Sequence, residues 1–86
     1  MKELNRKLIP LDDVNYWCYR IVRQSTKYGD VFHIHEVYFD KLGKPLYMSP
    51  PCHPMGETRY ELVCDLKAMR DAFSKRVLDF DEWRED

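Results

Sequence analysis

Glycine, paired cysteines and long apolar runs are all scarce in this sequence of 86 residues. Its three glycines stand apart, so the chain has no glycine-rich phosphate-binding loop and no G-x-S-x-G motif of serine hydrolases. Its three cysteines (Cys18, Cys52 and Cys64) form no C-x-x-C pair, which argues against a zinc ribbon and a disulfide framework. No apolar run approaches the roughly 20 residues of a membrane span, and the first ten residues lack the apolar centre of a signal peptide. We therefore expect a cytoplasmic protein with reduced thiols and no membrane contact.

An excess of either charge is missing too. The formal net charge is −1, which gives no general attraction to nucleic acid or to anionic lipid. What the sequence does contain is apolar and aromatic side chains, at 44% and 14% of its residues. These values are typical of a globular protein, and the length indicates one domain with a modest core.

The first half of the chain has the pattern of a three-stranded sheet. Residues 1–14 are expected to form an irregular arm, because Pro10 and two aspartates interrupt any helix. Residues 15–23 and 31–40 are rich in aromatic and β-branched side chains and are predicted strands, joined by a polar connection. Asp40 and Gly43 predict a tight turn, with Gly43 at positive φ. Residues 46–49 then return as a third strand, with Pro45 at its start.

A capped helix and a last short strand follow. Thr58 and Glu61 have the spacing of a capping box, which predicts a helix from Thr58 to Phe73. The apolar residues that recur every three or four positions are predicted to pack onto the sheet; they are Leu62, Leu66, Met69 and Phe73. Residues 77–83 alternate apolar and acidic side chains, which predicts an edge strand. We expect an α+β fold at residues 15–83: a two-layer β-β-β-α-β sandwich, with an antiparallel sheet and one helix packed on one face, and a frayed acidic tail at 84–86.

Two histidines, His33 and His35, stand two residues apart in the second predicted strand and are expected on the same face. That spacing occurs in metal sites, but zinc needs a third and a fourth ligand. Cys52 and His53 are the nearest by type, in a loop that nothing fixes beside the pair. Neighbours on a proline-rich loop also rarely point at each other, which disfavours a thiolate–imidazole pair. We interpret the histidines as strand residues and expect no metal, no cofactor and no catalytic residue.

Neither face of the predicted sheet is polar, and one helix can cover only one of them. The other face needs the arm, with its Leu4, Leu8 and Ile9, or a second copy of the chain, or a partner protein. Strand alternation does not say which face the helix covers. We expect a homodimer or protein-partner interface on the uncovered face. The candidate interaction residues are Tyr16, Arg20, His33, His35, Tyr60 and Cys64.

Three segments of the chain carry a resemblance. They are IHEVYFDKLGKP at residues 34–45, MGETRYELVCDLKAMRDAF at 55–73 and VLDFDEW at 77–83. Together they resemble a family of small uncharacterised bacterial proteins of about this length. More loosely, three strands followed by G-E-T-x-x-E-L at residues 56–62 and by a last strand are similar to HicB-type antitoxins. That resemblance implies a truncated RNase H-like fold that binds a toxin protein.

Three classes of function stay open at this point. The first is a non-catalytic protein-interaction module, such as a small regulator or inhibitor of the antitoxin or anti-defence kind. Small chains that have apolar sheet faces and no catalytic motif most often act by binding, so we favour this class. The second is a nucleic-acid-binding accessory protein that uses Arg20, Arg23, Lys27 and the tyrosines of the first hairpin. The third is a small metal-dependent enzyme.

Overall fold

The computed structural model describes residues 13–82, which form a four-stranded sheet and one α-helix. The elements in chain order are β1 (Tyr16–Thr26), β2 (Gly29–Phe39), β3 (Pro45–Met48), α1 (Arg59–Asp71) and β4 (Leu78–Asp79). Short 3₁₀ helices follow α1 at Ala72–Ser74 and β4 at Phe80–Glu82. The predicted tail at 84–86, and all but the last two residues of the predicted arm at 1–14, lie outside the described residues. The α+β class predicted from the sequence is confirmed.

The sheet has the strand order β3-β2-β1-β4. β2 is antiparallel to both β1 and β3, whereas β4 runs parallel to β1. The prediction of a fully antiparallel sheet is therefore wrong. Parallel neighbours require a crossover connection, and α1 supplies it by carrying the chain from the β3 edge to the β1 edge. Between residues 13 and 82, no helix combines the length and the apolar character that crossing a membrane requires.

The hairpin of β1 and β2 is longer than the sequence pattern predicts. Residues 24–30 read as a polar connection, yet pairing continues from Gln24 opposite Val31 to Thr26 opposite Gly29. The hydroxyl of Thr26 accepts a hydrogen bond from the Tyr28 amide at 3.1 Å and donates one to the Gly29 carbonyl at 2.7 Å. Gly29 has a φ of 117°, which side chains rarely tolerate. The hydrogen bonds of Thr26 thus close the turn, and the polar residues 24–26 are paired in the hairpin.

The turn between β2 and β3 is confirmed as predicted. A carboxylate oxygen of Asp40 accepts hydrogen bonds from the amides of Leu42 and Lys44, each at 2.9 Å. Gly43 has a φ of 81°, the positive value that the sequence predicts. Pro45 begins β3 and faces Phe39, next to a register shift in β2. The turn therefore fixes β3 beside β2.

The main buried cluster lies on the sheet face opposite to the helix. Side chains directly paired across strands point to the same side, so Val22 with Leu78 and Val37 with Met48 share one face. The buried members of this cluster are Val22, Val37, Phe39, Met48 and Leu78, with Cys18 and Phe80 packed against them. The sequence predicts a homodimer or protein-partner interface on the sheet face that the helix leaves uncovered. These side chains are buried in the structure, and the interface stays a prediction. The residues Leu4, Leu8 and Ile9 of the predicted arm lie outside the described residues.

Helix α1 meets the other sheet face along one narrow flank. The predicted inward set of Leu62, Leu66, Met69 and Phe73 is wrong for all but Met69, which is the buried residue of α1. Asp65 is half-buried, and Ala72, directly after the helix, is buried. Asp65, Met69 and Ala72 follow one another at four and three residues and so form one flank of the helix. The spacing of three and four residues identifies the apolar positions. The flank of the helix that meets the sheet is a neighbouring one, however, so Leu62, Leu66 and Phe73 stay exposed.

Candidate functional site

The start of α1 is fixed by hydrogen bonds that the sequence predicts in part. The hydroxyl of Thr58 accepts from the Glu61 amide at 3.1 Å, as in a capping box. The Glu61 carboxylate accepts from the Glu57 amide at 2.9 Å rather than from the amide of Thr58. Gly56 lies against this first turn, where an added Cβ would be 2.5 Å from the Leu62 nitrogen. The loop before α1 is therefore packed closely onto the first turn of the helix. Two distinct flanks of α1 remain exposed.

The first exposed flank is an apolar stripe, which we define as Leu62, Val63, Leu66 and Phe73. Their exposed fractions are 38%, 46%, 48% and 71% respectively. Single exposed apolar residues are normal on protein surfaces, but Leu62, Val63 and Leu66 lie three and four residues apart and so are neighbours on one helix face. Such a patch is typical of a surface that binds another protein.

The stripe is bordered by positive charge. At about 100° per residue, Arg59 and Arg70 project close to the direction of Leu66, and Lys67 projects about 100° from it. Every acidic side chain of α1 lies more than about 90° from that direction. None of the three cations forms an ion pair with a residue in the 13–82 range. The stripe therefore has basic side chains beside it: Arg59 before its first residue, Arg70 between Leu66 and Phe73, and Lys67 at its edge.

The second exposed flank of α1 borders a groove between the helix and the sheet, with a volume of about 460 Å³. The residues that line it are Trp17, Tyr19, Glu36, Met55, Gly56, Glu61, Cys64, Asp65 and Ala68. Trp17 packs edge-on against Tyr19, with ring centroids 5.3 Å apart, and stacks on Tyr38 at 6.1 Å. Trp17 is still 47% exposed. The groove thus has an aromatic wall that is open to solvent.

The electrostatics of this groove are negative. The Tyr19 hydroxyl donates to one carboxylate oxygen of Asp65 at 2.6 Å, and the Met55 amide donates to the other at 2.9 Å. Burial, the hydrogen bond to Asp65, and the charges of Asp65 and Glu36 raise the pKa of Tyr19 above its usual range. The Glu36 carboxylate accepts from the Tyr38 hydroxyl at 2.7 Å. Each of these bonds places negative charge beside an aromatic ring.

The candidate interaction residues fall into two separate places. Tyr16 stacks on Phe39 at 4.9 Å, and the Arg20 guanidinium lies 5.7 Å from the same ring. Arg20 also donates to the Arg76 carbonyl at 2.5 Å, and its buried Nε has no hydrogen-bond partner. Tyr60 is 77% exposed on α1. Cys64 is exposed as well and lines the groove. The six candidates therefore do not form one site.

The histidine pair is split by its surroundings. His33 and His35 lie on one face of β2, with ring centroids 6.1 Å apart. His33 is exposed, whereas His35 is 4% exposed and its Nδ1 donates to the Ser49 carbonyl at 2.6 Å. Burial, opposed by this hydrogen bond, lowers the pKa of His35. Across residues 13–82, no three His, Cys, Asp or Glu side chains are grouped as a metal ion would require. Burial therefore disfavours the charged form of His35.

The groove contains residues that sequence reasoning did not select. The candidate interaction residues predicted from the sequence do not include Trp17, Glu36 or Asp65. A signal for them exists, because Glu36 is an acid inside the apolar run of β2 and Asp65 interrupts the apolar face of α1. An acid at such a position needs a partner, and each of these carboxylates finds a tyrosine hydroxyl.

Comparisons with protein-family models, with curated proteins and with solved structures find no match.

Proposed function

We propose that this chain is a non-catalytic protein-interaction module that binds a partner protein through the apolar stripe of α1. The observation that carries the proposal is the exposure of Leu62, Val63 and Leu66 on one face of α1, together with Phe73 in the 3₁₀ helix that follows. A helix that presents an apolar face is a common binding element, because its side chains at three- and four-residue spacing fit a groove or another helix. Burying them would remove apolar area from water and stabilise the complex.

The partner is expected to present an apolar surface with carboxylates at its rim. The basic border of the stripe, formed by Arg59, Lys67 and Arg70, is complementary to such a rim. A second copy of this chain would bring the same basic side chains close to each other across a two-fold axis. Like charges that face each other at an interface cost free energy, so the charge pattern favours a different protein over a homodimer.

Two further expectations from the sequence are part of the proposal: the two-layer sandwich and the role of a small regulator or inhibitor. A two-layer β-β-β-α-β sandwich is supported by α1 lying on one sheet face, although its contact with the sheet is narrow. A small regulator or inhibitor, of the antitoxin or anti-defence kind, is supported by the resemblance to HicB-type antitoxins and by the open stripe. In that role the protein acts by covering a surface of its partner.

The test compares proteins captured from the native host by the unaltered chain and by a variant of the stripe. Leu66→Asp together with Phe73→Asp places charge in the stripe, and exposed positions tolerate such changes without loss of the fold. Tyr60→Ser is the matched control, since Tyr60 is an exposed apolar residue of the same helix outside the stripe. Thermal melts followed by circular dichroism check that all variants are folded.

A supporting result is a protein that is captured by the unaltered chain and by Tyr60→Ser but not by the stripe variant. Once purified, that protein should bind the stripe variant about 30-fold or more weakly, as expected when interface hot spots are lost. Arg59→Glu with Arg70→Glu should also weaken binding, and the difference should shrink at high salt. Equal capture by all folded variants would contradict the proposal.

A further inference from the structure

The groove on the other flank of α1 combines two features that aromatic cation sites share. Its wall is Trp17, which makes an edge contact with Tyr19, stacks on Tyr38 and is still half-exposed. An indole face attracts cations more strongly than the other aromatic rings do, because its π-electrons make the face negative. The ring is therefore positioned before any ligand arrives.

The second feature is uncompensated negative charge. Glu36, Glu61 and Asp65 line the groove, and its described lining contains no lysine, arginine or histidine. Both oxygens of Asp65 already accept hydrogen bonds, from Tyr19 and Met55. Glu36 and Glu61 each use one carboxylate oxygen, Oε1, for a bond within the chain. Their second oxygens are the acceptors that can take a ligand's N–H groups.

We propose that this groove binds a guanidinium group, carried by an arginine side chain of a protein segment. A guanidinium is planar, so it stacks on an indole face while its edge donates to carboxylates on either side. The lining also includes Met55 and Ala68, on which the aliphatic stem of an arginine can pack. A divalent metal ion fits less well, because no three acidic, cysteine or histidine side chains converge within residues 13–82. The inference is independent of the stripe, which lies on the opposite flank.

The experiment is a nuclear magnetic resonance titration of the full chain with N-acetyl-arginine amide up to about 50 mM. The matched control is N-acetyl-citrulline amide at the same ionic strength, because citrulline has the same shape without the charge. The indole signal of Trp17 is identified with the variant Trp83→Phe. We expect arginine, but not citrulline, to shift the Trp17 indole and the amides of Cys64 and Asp65. Equal shifts with both compounds, or no shift with arginine, would overturn the proposal.

Variants then assign the two contributions. Trp17→Leu removes the aromatic face, and Glu36→Gln with Glu61→Gln removes two charges while keeping their shapes. Each change should weaken arginine binding about ten-fold, which matches the loss of one cation–π or charge-assisted contact. Arg70→Gln is the control, because Arg70 projects about 170° from the groove-lining residues of α1, and it should leave the affinity unchanged. Affinity that survives both groove changes would place the guanidinium elsewhere.

The source of the guanidinium is tested with the peptide Gly-Gly-Arg-Gly-Gly amide. Tighter binding of this peptide than of the single amino-acid amide supports a protein segment as the ligand, since neighbouring backbone then contributes. Equal affinities would overturn that source and leave a free guanidinium compound as the ligand. The stripe variant Leu66→Asp with Phe73→Asp should bind arginine normally. Loss of the partner protein but retention of arginine binding would thus separate the two proposals.

Discussion

At the scale of single residues, His35 stands where its charged form is disfavoured by burial. Because its folded pKa is lowered, the unfolded chain binds a proton more readily than the folded chain does. Its contribution to stability is complete above the unfolded pKa of about 6.5 and is lost as the pH falls from there toward the folded pKa. We expect the free energy of unfolding, measured in urea, to decrease between pH 7.5 and pH 5.

The control for this prediction is the variant His35→Gln, which cannot gain a proton in that range. Its stability should depend less on pH between 7.5 and 5 than that of the unaltered chain. His33→Gln should leave most of the dependence in place, because His33 is exposed and its charge is a smaller cause of the lowered pKa of His35 than burial is. Identical pH profiles for His35→Gln and the unaltered chain would contradict the assignment.

Cys64 is expected to be the most reactive thiol of the three. It is exposed, whereas Cys18 and Cys52 are half-buried, and Cys52 contacts the Ser49 hydroxyl at 3.3 Å. A thiol reagent added to the native protein should label one site rapidly, and Cys64→Ser should abolish that fast phase. Fast labelling that persists in the variant would show that another cysteine is accessible.

At the scale of elements, helix α1 should be sensitive to substitution at one flank and tolerant at the other. Met69→Ala removes a buried side chain and should lower the free energy of unfolding by about 2–5 kcal/mol. Leu66→Ala, at a half-exposed position, should cost about 1 kcal/mol or less. Urea unfolding of both variants measures the difference. Equal losses would mean that Leu66, as the sequence pattern predicts, also packs on the sheet.

The hairpins and the capped helix could be predicted because short-range chemistry determines them. Asp40 with Gly43 defines a turn within four residues, and Thr58 with Glu61 defines a helix start. The orientation of α1 on the sheet could not be predicted, because it depends on the hydrogen bond between Tyr19 and Asp65, which are 46 residues apart. Periodicity identifies which side of a helix is apolar, but contacts distant in sequence decide which flank meets the sheet.

Contacts between residues distant in sequence also explain why the groove could not be predicted. Reactive residue types led to His33, His35 and Cys64, while Trp17 and Glu36 come together with α1 only through the fold. The parallel pairing of β4 was also beyond sequence reasoning, because the alternation of Leu78 and Phe80 is the same in either strand direction. What the sequence could not supply was the relative placement of elements.

At the scale of the whole molecule, an unpartnered stripe raises the question of self-association. The basic border of the stripe should keep two copies apart at low salt, because Arg59 and Arg70 of each would meet. We expect light scattering to show a single chain at micromolar concentration in 0.1 M salt. A dimer that Leu66→Asp dissociates would instead identify a second copy as the occupant of the stripe.

The parallel strand β4 also has a consequence for the order in which the molecule folds. Arg23 in β1 bonds Asp30 across the hairpin and Asp79 in β4, each at 2.8 Å, and Asp81 at 3.2 Å. The hairpin can close in microseconds, whereas β4 must return over more than fifty residues and pays its loop-closure entropy late. We expect Asp79→Asn to speed unfolding with little change in the refolding rate, measured by stopped flow. A slower refolding rate instead would place the docking of β4 before the barrier, inside the folding nucleus.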